Sequence, residues 1–211
     1  MKSSICKLMS LLGVVAVGIS SVNATPLNPG SSIALPAEAD PIGGVTIASI
    51  SVPFVAPTFS GTLVSKVWSG DLSNPFAGGL TFTYELSNNP FSPDPIDRFT
   101  LSSYLGFSTD ASYQSGALIS PVVPTSVVRN PSGNQISFNF TGPFEGTLLP
   151  GSSSPILVIQ TSATSFQNSF AAIINSSSVN VATFAPLTVP EPGTAALLIL
   201  GAVSLALRRK K

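Results

Sequence analysis

The chain has 211 residues, with nine Lys and Arg against nine Asp and Glu and no histidine, so catalytic triads and metal sites built on imidazole are excluded. Between Thr25 and Thr188 the balance is acidic: Glu38, Asp40, Asp71, Glu85, Asp94, Asp97, Asp110 and Glu145 face Lys66, Arg98 and Arg129, a net charge of −5. That stretch offers no basic footprint for nucleic acid, and the one cysteine, Cys6, lies outside it, so neither a disulfide nor thiol chemistry is available there.

In chain order, Lys2 and Lys7 precede an apolar run over 8–19, and Val22-Asn23-Ala24 supplies small residues at the positions where secretory leaders are cut. The run is too short to span a bilayer, so residues 1–24 read as a signal peptide cleaved after Ala24. Residues 25–44, rich in Pro, Ser and Asn, have no clear period and read as an irregular lead-in with room for one short edge strand.

From Val45 onward period-two segments recur between turn signals. In 80–86, Leu80, Phe82, Tyr84 and Leu86 alternate with Thr81, Thr83 and Glu85, and Ile136, Phe138 and Phe140 alternate with Ser137, Asn139 and Thr141. Further strands are predicted over 45–52, 61–68, 97–105, 121–129, 144–148, 156–162 and 179–184. The unbroken apolar run 156–159 predicts a central strand covered on both faces. The longest helix the pattern allows is 166–174. About nine short strands without crossover helices predict an all-β, antiparallel two-sheet sandwich over 45–187, jelly-roll or Ig-like.

Side chains that carry chemistry are few. Lys66, the one lysine of the body, sits in Val64-Ser65-Lys66-Val67-Trp68, which reads as a strand with Lys66 facing water. A glycosidase would need a carboxylate pair about 5–10 Å apart, and Glu85 and Glu145 are the glutamates of the strand region. Asp94 and Asp97, in Ser92-Pro93-Asp94-Pro95-Ile96-Asp97, and Asp110, in a Ser-Thr-Asp turn, offer the hard oxygens calcium takes. Turn chemistry accounts for the same aspartates without a metal. Trp68 is a candidate carbohydrate platform or a tryptophan of the core or sandwich edge. No other cofactor is implied, and the expectation is a protein that is not an enzyme.

The C-terminal end has three parts in order. Val189, Pro190, Glu191 and Pro192 form an extended motif, because each proline pushes the preceding residue out of the α region. An uncharged stretch over 194–207 follows, about 21 Å long as a helix, which makes a marginal membrane anchor. Arg208, Arg209, Lys210 and Lys211 then close it, favouring the cytoplasmic side.

Together these parts resemble the PEP-CTERM sorting signal of Gram-negative and related bacteria. The resemblance covers 189–211 and implies recognition by an exosortase, a membrane-embedded protease or transpeptidase. It also implies export, a transient inner-membrane stage with segment 188–211 as a transmembrane helix, and delivery to the cell surface, outer envelope or extracellular matrix. The partners implied are export machinery, that processing enzyme and exopolysaccharide. The middle of the chain, with Ser108-Thr109-Asp110 and Pro150-Gly151-Ser152-Ser153, is similar to a domain many such proteins carry, which implies no activity. The resulting expectation is a non-enzymatic envelope or biofilm-matrix protein; the alternative is a lectin-like or calcium-dependent adhesive module.

Overall fold

A computed structural model describes residues 26–39, 41–114, 121–141 and 146–188. Ala24, the sorting motif Val189–Pro192, the basic end Arg208–Lys211 and the helices expected at both termini lie outside these residues, as does Glu145. Among the described residues no helix is long and apolar enough to cross a membrane.

Among the described residues twelve strands form two six-stranded sheets. They are β1 (Ser32–Ile33), β2 (Ala37–Glu38), β3 (Val45–Val55), β4 (Ser60–Ser69), β5 (Thr81–Asn88), β6 (Arg98–Leu101), β7 (Thr109–Gln114), β8 (Ser126–Arg129), β9 (Ile136–Asn139), β10 (Ile156–Thr161), β11 (Phe166–Ile174) and β12 (Ser178–Pro186). Sheet A runs β2-β7-β10-β5-β4-β3 and sheet B runs β1-β8-β9-β6-β11-β12. Every pairing is antiparallel except β2 with β7.

The alternation read from the sequence sets the inner faces. Phe82, Tyr84 and Leu86 of β5 meet Phe99 of β6 and Phe138 of β9 in a fully buried core, with Tyr84 edge-on to Phe99 at 5.5 Å between ring centroids. Each such side chain contributes about 1.5–3 kcal/mol on leaving water. β10 is interior to its sheet, and Leu157 to Thr161 are all buried, as its continuous apolar run implied.

The segment 166–174, the longest stretch the pattern allowed as helix, is strand β11 instead. It pairs with β12 along its whole length and with β6 at Leu101 to Arg98. Pairing on both sides outweighs the weak local preference of Phe-Gln-Asn-Ser-Phe-Ala-Ala-Ile-Ile. The strand expected over 97–105 stops at Leu101, because Ser103 takes φ = 73° and turns the chain. That expected over 121–129 shortens to Ser126–Arg129, and Leu148 makes one isolated bridge to Ile96. Thr109 and Asp110, read as a turn, begin β7.

Residues 26–44 belong to the body of the sandwich. β1 closes one edge of sheet B, β2 closes the neighbouring edge of sheet A, and Leu27 and Leu35 are buried in the core. The chain must then reach β3, on the far edge of sheet A, with only residues 39–44 to do it. Pro41 and Ile42 form a strap on the outer face of the sheet: Pro41 lies with Trp68, Glu85 and Gln114, and the Ile42 amide reaches Asp71.

Candidate functional site

The outer face of sheet A is built from the polar halves of four alternating strands: Lys66 and Trp68 on β4, Thr81, Thr83 and Glu85 on β5, Gln160 on β10, and Asp110, Ser112 and Gln114 on β7. Period two predicts that these face water, yet Thr81, Thr83, Gln160, Asp110 and Ser112 are buried. The connection from β4 to β5 folds back over one end of this face and brings Asp71 to it. The Asp71 carboxylate accepts five hydrogen bonds: from the Ile42 amide (2.9 Å), the Ser73 amide (3.0 Å) and hydroxyl (2.5 Å), the Thr81 hydroxyl (2.6 Å) and the Gln160 side-chain amide (3.0 Å). Burial pushes its pKa up, but the bonds from Ser73, Thr81, Ile42 and Gln160 outweigh that and hold it below the ordinary value.

Beside this cluster, Trp68 is half-buried. Its indole N–H donates to the Thr83 hydroxyl at 2.9 Å, and the Lys66 ammonium stands 6.0 Å from its ring centroid. Pro41, Lys66, Trp68, Glu85, Gln114 and Ile156 surround a niche of about 40 Å³, room for a few waters. Lys66 thus lies on the outer face, as its strand position implied.

The calcium candidates fall at opposite poles of the sandwich. Asp94 accepts from the Ser176 hydroxyl at 3.1 Å, and its amide donates to the Thr58 carbonyl, at the pole holding the β3–β4 and β11–β12 turns. Asp97 is close in sequence, its amide bonded to the Ile174 carbonyl. Asp110 pairs with Gln160, which pairs with Thr81 at the start of β5, whereas Asp94 packs at the end where β5 finishes. No group of three acidic, Cys or His side chains able to hold a metal forms among the described residues.

Sequence reasoning missed Arg129. It ends β8, is 2% exposed, and uses all five N–H groups: Nε to the Gly133 carbonyl, Nη1 to the Leu27 carbonyl and Thr109 hydroxyl, and Nη2 to the Tyr104 and Phe107 carbonyls, at 2.8–3.0 Å. Burial lowers its pKa. The same pole holds Tyr104, whose hydroxyl meets that of Tyr84 at 2.9 Å; burial raises both phenols well above their usual value. A single arginine ending a short strand carries no sequence signal of such a role.

That pole also holds both ends of the described body. Pro26 bridges Asp110, and Leu27 accepts from Arg129; β12 finishes there too, with the Leu187 amide bonded to the Ser165 carbonyl. Thr188 follows, and residues 188–211 match the PEP-CTERM protein-sorting motif. The chain carries that sorting motif at its C-terminal end. No curated protein and no solved structure matches it. The motif marks a PEP-CTERM protein for export toward the cell envelope or surface and for processing by exosortase-type machinery. The matched segment therefore begins next to Leu187, whose bond to Ser165 is the last backbone bond among the described residues.

Proposed function

We propose that the sandwich is a non-catalytic module of the cell envelope or exopolysaccharide matrix, exported behind a signal peptide, held briefly at the inner membrane by 188–211, and then delivered to the surface after C-terminal processing. The observation that carries this reading is the sorting motif directly following a body whose two ends share one pole. In that arrangement one pole meets the membrane, and the opposite pole, with the β3–β4 and β11–β12 turns, points away from it. The lack of histidine and of a body cysteine, with Lys66 laid against Trp68, supports the non-enzymatic part. Mass spectrometry of the surface and secreted fractions, in cells with and without an exosortase, tests the reading. The expected product starts at Thr25 and lacks Arg208–Lys211 only where exosortase is present. An intact basic end on the surface form overturns it.

The second reading is a lectin-like adhesive module, favoured by Trp68 lying among Lys66, Glu85 and Gln114 on the outer face of sheet A. Glycan-array binding with and without chelator, repeated for Trp68→Ala, tests this reading and its calcium-dependent form. Binding that Trp68→Ala leaves unchanged removes it.

A further inference from the structure

β3 (Val45–Val55) forms the far edge of sheet A and is the longest strand among the described residues. It contains no Asp, Glu, Lys or Arg, so no charge guards that edge. Ala48, Ile50, Val52 and Phe54 turn to the core, whereas Ser49, Ser51, Pro53 and Val55 are exposed. Two backbone bonds fix which way the main chain points. The Ala56 amide donates to the Phe59 carbonyl at 2.8 Å, and the Asn89 amide donates to the Ser60 carbonyl at 2.8 Å. Ser60 therefore faces β5, and Val55, its partner on β3, faces away from β4. Backbone direction alternates along an antiparallel pair, so Ser49, Ser51, Pro53 and Val55 all present their backbone groups to the open side.

An open row of this kind is a template for another strand. A second copy of β3 suits it: laid antiparallel about a two-fold axis, the uncharged edge sets no like charges opposite each other, although each body carries a net charge of −5. Pairing that uses the whole run 49–55 places Ser51 opposite Pro53 of the second copy and Ser49 opposite its Val55. There the fit fails. Pro53 has no N–H for the Ser51 carbonyl, and its ring occupies the side from which that carbonyl must approach. Within its own sheet the proline breaks no bond, because the backbone groups of Pro53 and its partner Thr62 point away from each other. The other end of the edge is bent by a bulge: Ile47 is an extra residue between Thr46, opposite Trp68, and Ala48, opposite Val67.

We propose that Pro53, together with the bulge at Ile47, keeps this edge of sheet A closed to a second copy of the chain, and that restoring one N–H at position 53 turns the edge into a dimer interface. Between bulge and proline only Ser49 and Ser51 are free to pair, a stretch too short to hold two sandwiches together. The inference concerns the body and is independent of C-terminal sorting.

The test compares the full chain with Pro53→Thr and with Pro53→Thr/Ser51→Pro in one detergent, by sedimentation over a range of concentrations. Association through any other segment is common to all three proteins. Pro53→Thr is expected to raise the dimer fraction at least about tenfold over the native chain, and the added Ser51→Pro to remove that rise. A Pro53→Thr protein that sediments like the native chain, or a dimer that Ser51→Pro leaves in place, overturns the proposal. A Pro53→Thr protein that does not fold gives the proline a role inside the sheet and overturns it as well. A second readout uses the unaltered chain. The amides of Ser49 and Ser51 should exchange with solvent at least about tenfold faster than those of Ile50 and Val52, which face β4, and at the same rate at every concentration. Slow exchange at Ser49 and Ser51, or protection that grows with concentration, means that the edge is already occupied and overturns the proposal.

Discussion

The Ile42 amide donates to Asp71 Oδ1 at 2.9 Å, joining the strap on the outer face of sheet A to the connection between β4 and β5. The Leu72 amide returns a bond to the Ile42 carbonyl, so the contact is reciprocal. Through Asp71 it continues into Thr81 on β5 and Gln160 on β10. One carboxylate therefore fastens two irregular segments to two strands.

Asp71→Ala should be among the most damaging single changes on this face. It leaves the Thr81 and Ser73 hydroxyls and two backbone amides without their acceptor and takes from the Gln160 amide one of its two, at about 2–4 kcal/mol in total. Urea unfolding measures this, and Asp71→Asn should cost less because it keeps one acceptor oxygen.

The same carboxylate makes stability pH-dependent. Its folded pKa lies below the unfolded value, so its contribution is fully present above the unfolded pKa of about 4 and is lost as pH falls through the folded one. Melting curves from pH 7 to pH 2 should show an acid-side loss of stability that is smaller in Asp71→Asn.

Arg129→Lys should not rescue Arg129→Ala. A lysine offers three donors from one point, whereas the five acceptors around Arg129 are arranged for a planar fork. Both variants should lose at least about 3 kcal/mol in chemical denaturation, with the loss centred on the pole where the chain ends meet.

Gly79→Ala and Gly61→Ala should each destabilise by about 1–3 kcal/mol. A Cβ at Gly79 collides with the Thr161 carbonyl oxygen, and one at Gly61 with the Ser87 carbonyl oxygen. Both obstacles are strand backbone, which cannot move aside as a side-chain tip can. Gly70→Ala meets no neighbour, so only its φ of 69° opposes the change, and its thermal shift should be smaller.

Deleting 189–211 should leave the Tm of the body within about 2 °C, since among the described residues the last backbone bond of the sandwich is that of Leu187 to Ser165. The truncated protein should lose its membrane-bound stage in fractionation. Glu191→Ala should keep membrane insertion and abolish processing; normal trimming of that variant would move the recognition element elsewhere.

Composition and local order were enough to read the sorting tail and the inner faces of the long strands. The motif at 189–192, the apolar stretch and the terminal cations are contiguous, so no folding is needed to recognise them. Phe82, Tyr84 and Leu86 announced a buried face because Thr81, Thr83 and Glu85 alternate with them. Tertiary structure decided what lay across that face. Thr109 to Gln114 has a weak pattern because Asp110 and Ser112 are buried along with Ala111, so its sequence did not alternate between apolar and polar. Phe166 to Ile174 became a strand through partners far along the chain, and Arg129 and Asp71 found their acceptors and donors only once loops distant in sequence were brought to them. Periodicity reports a face that meets water; where a strap, a loop or a second strand covers that face, the information resides in the contacts and not in the order of the residues.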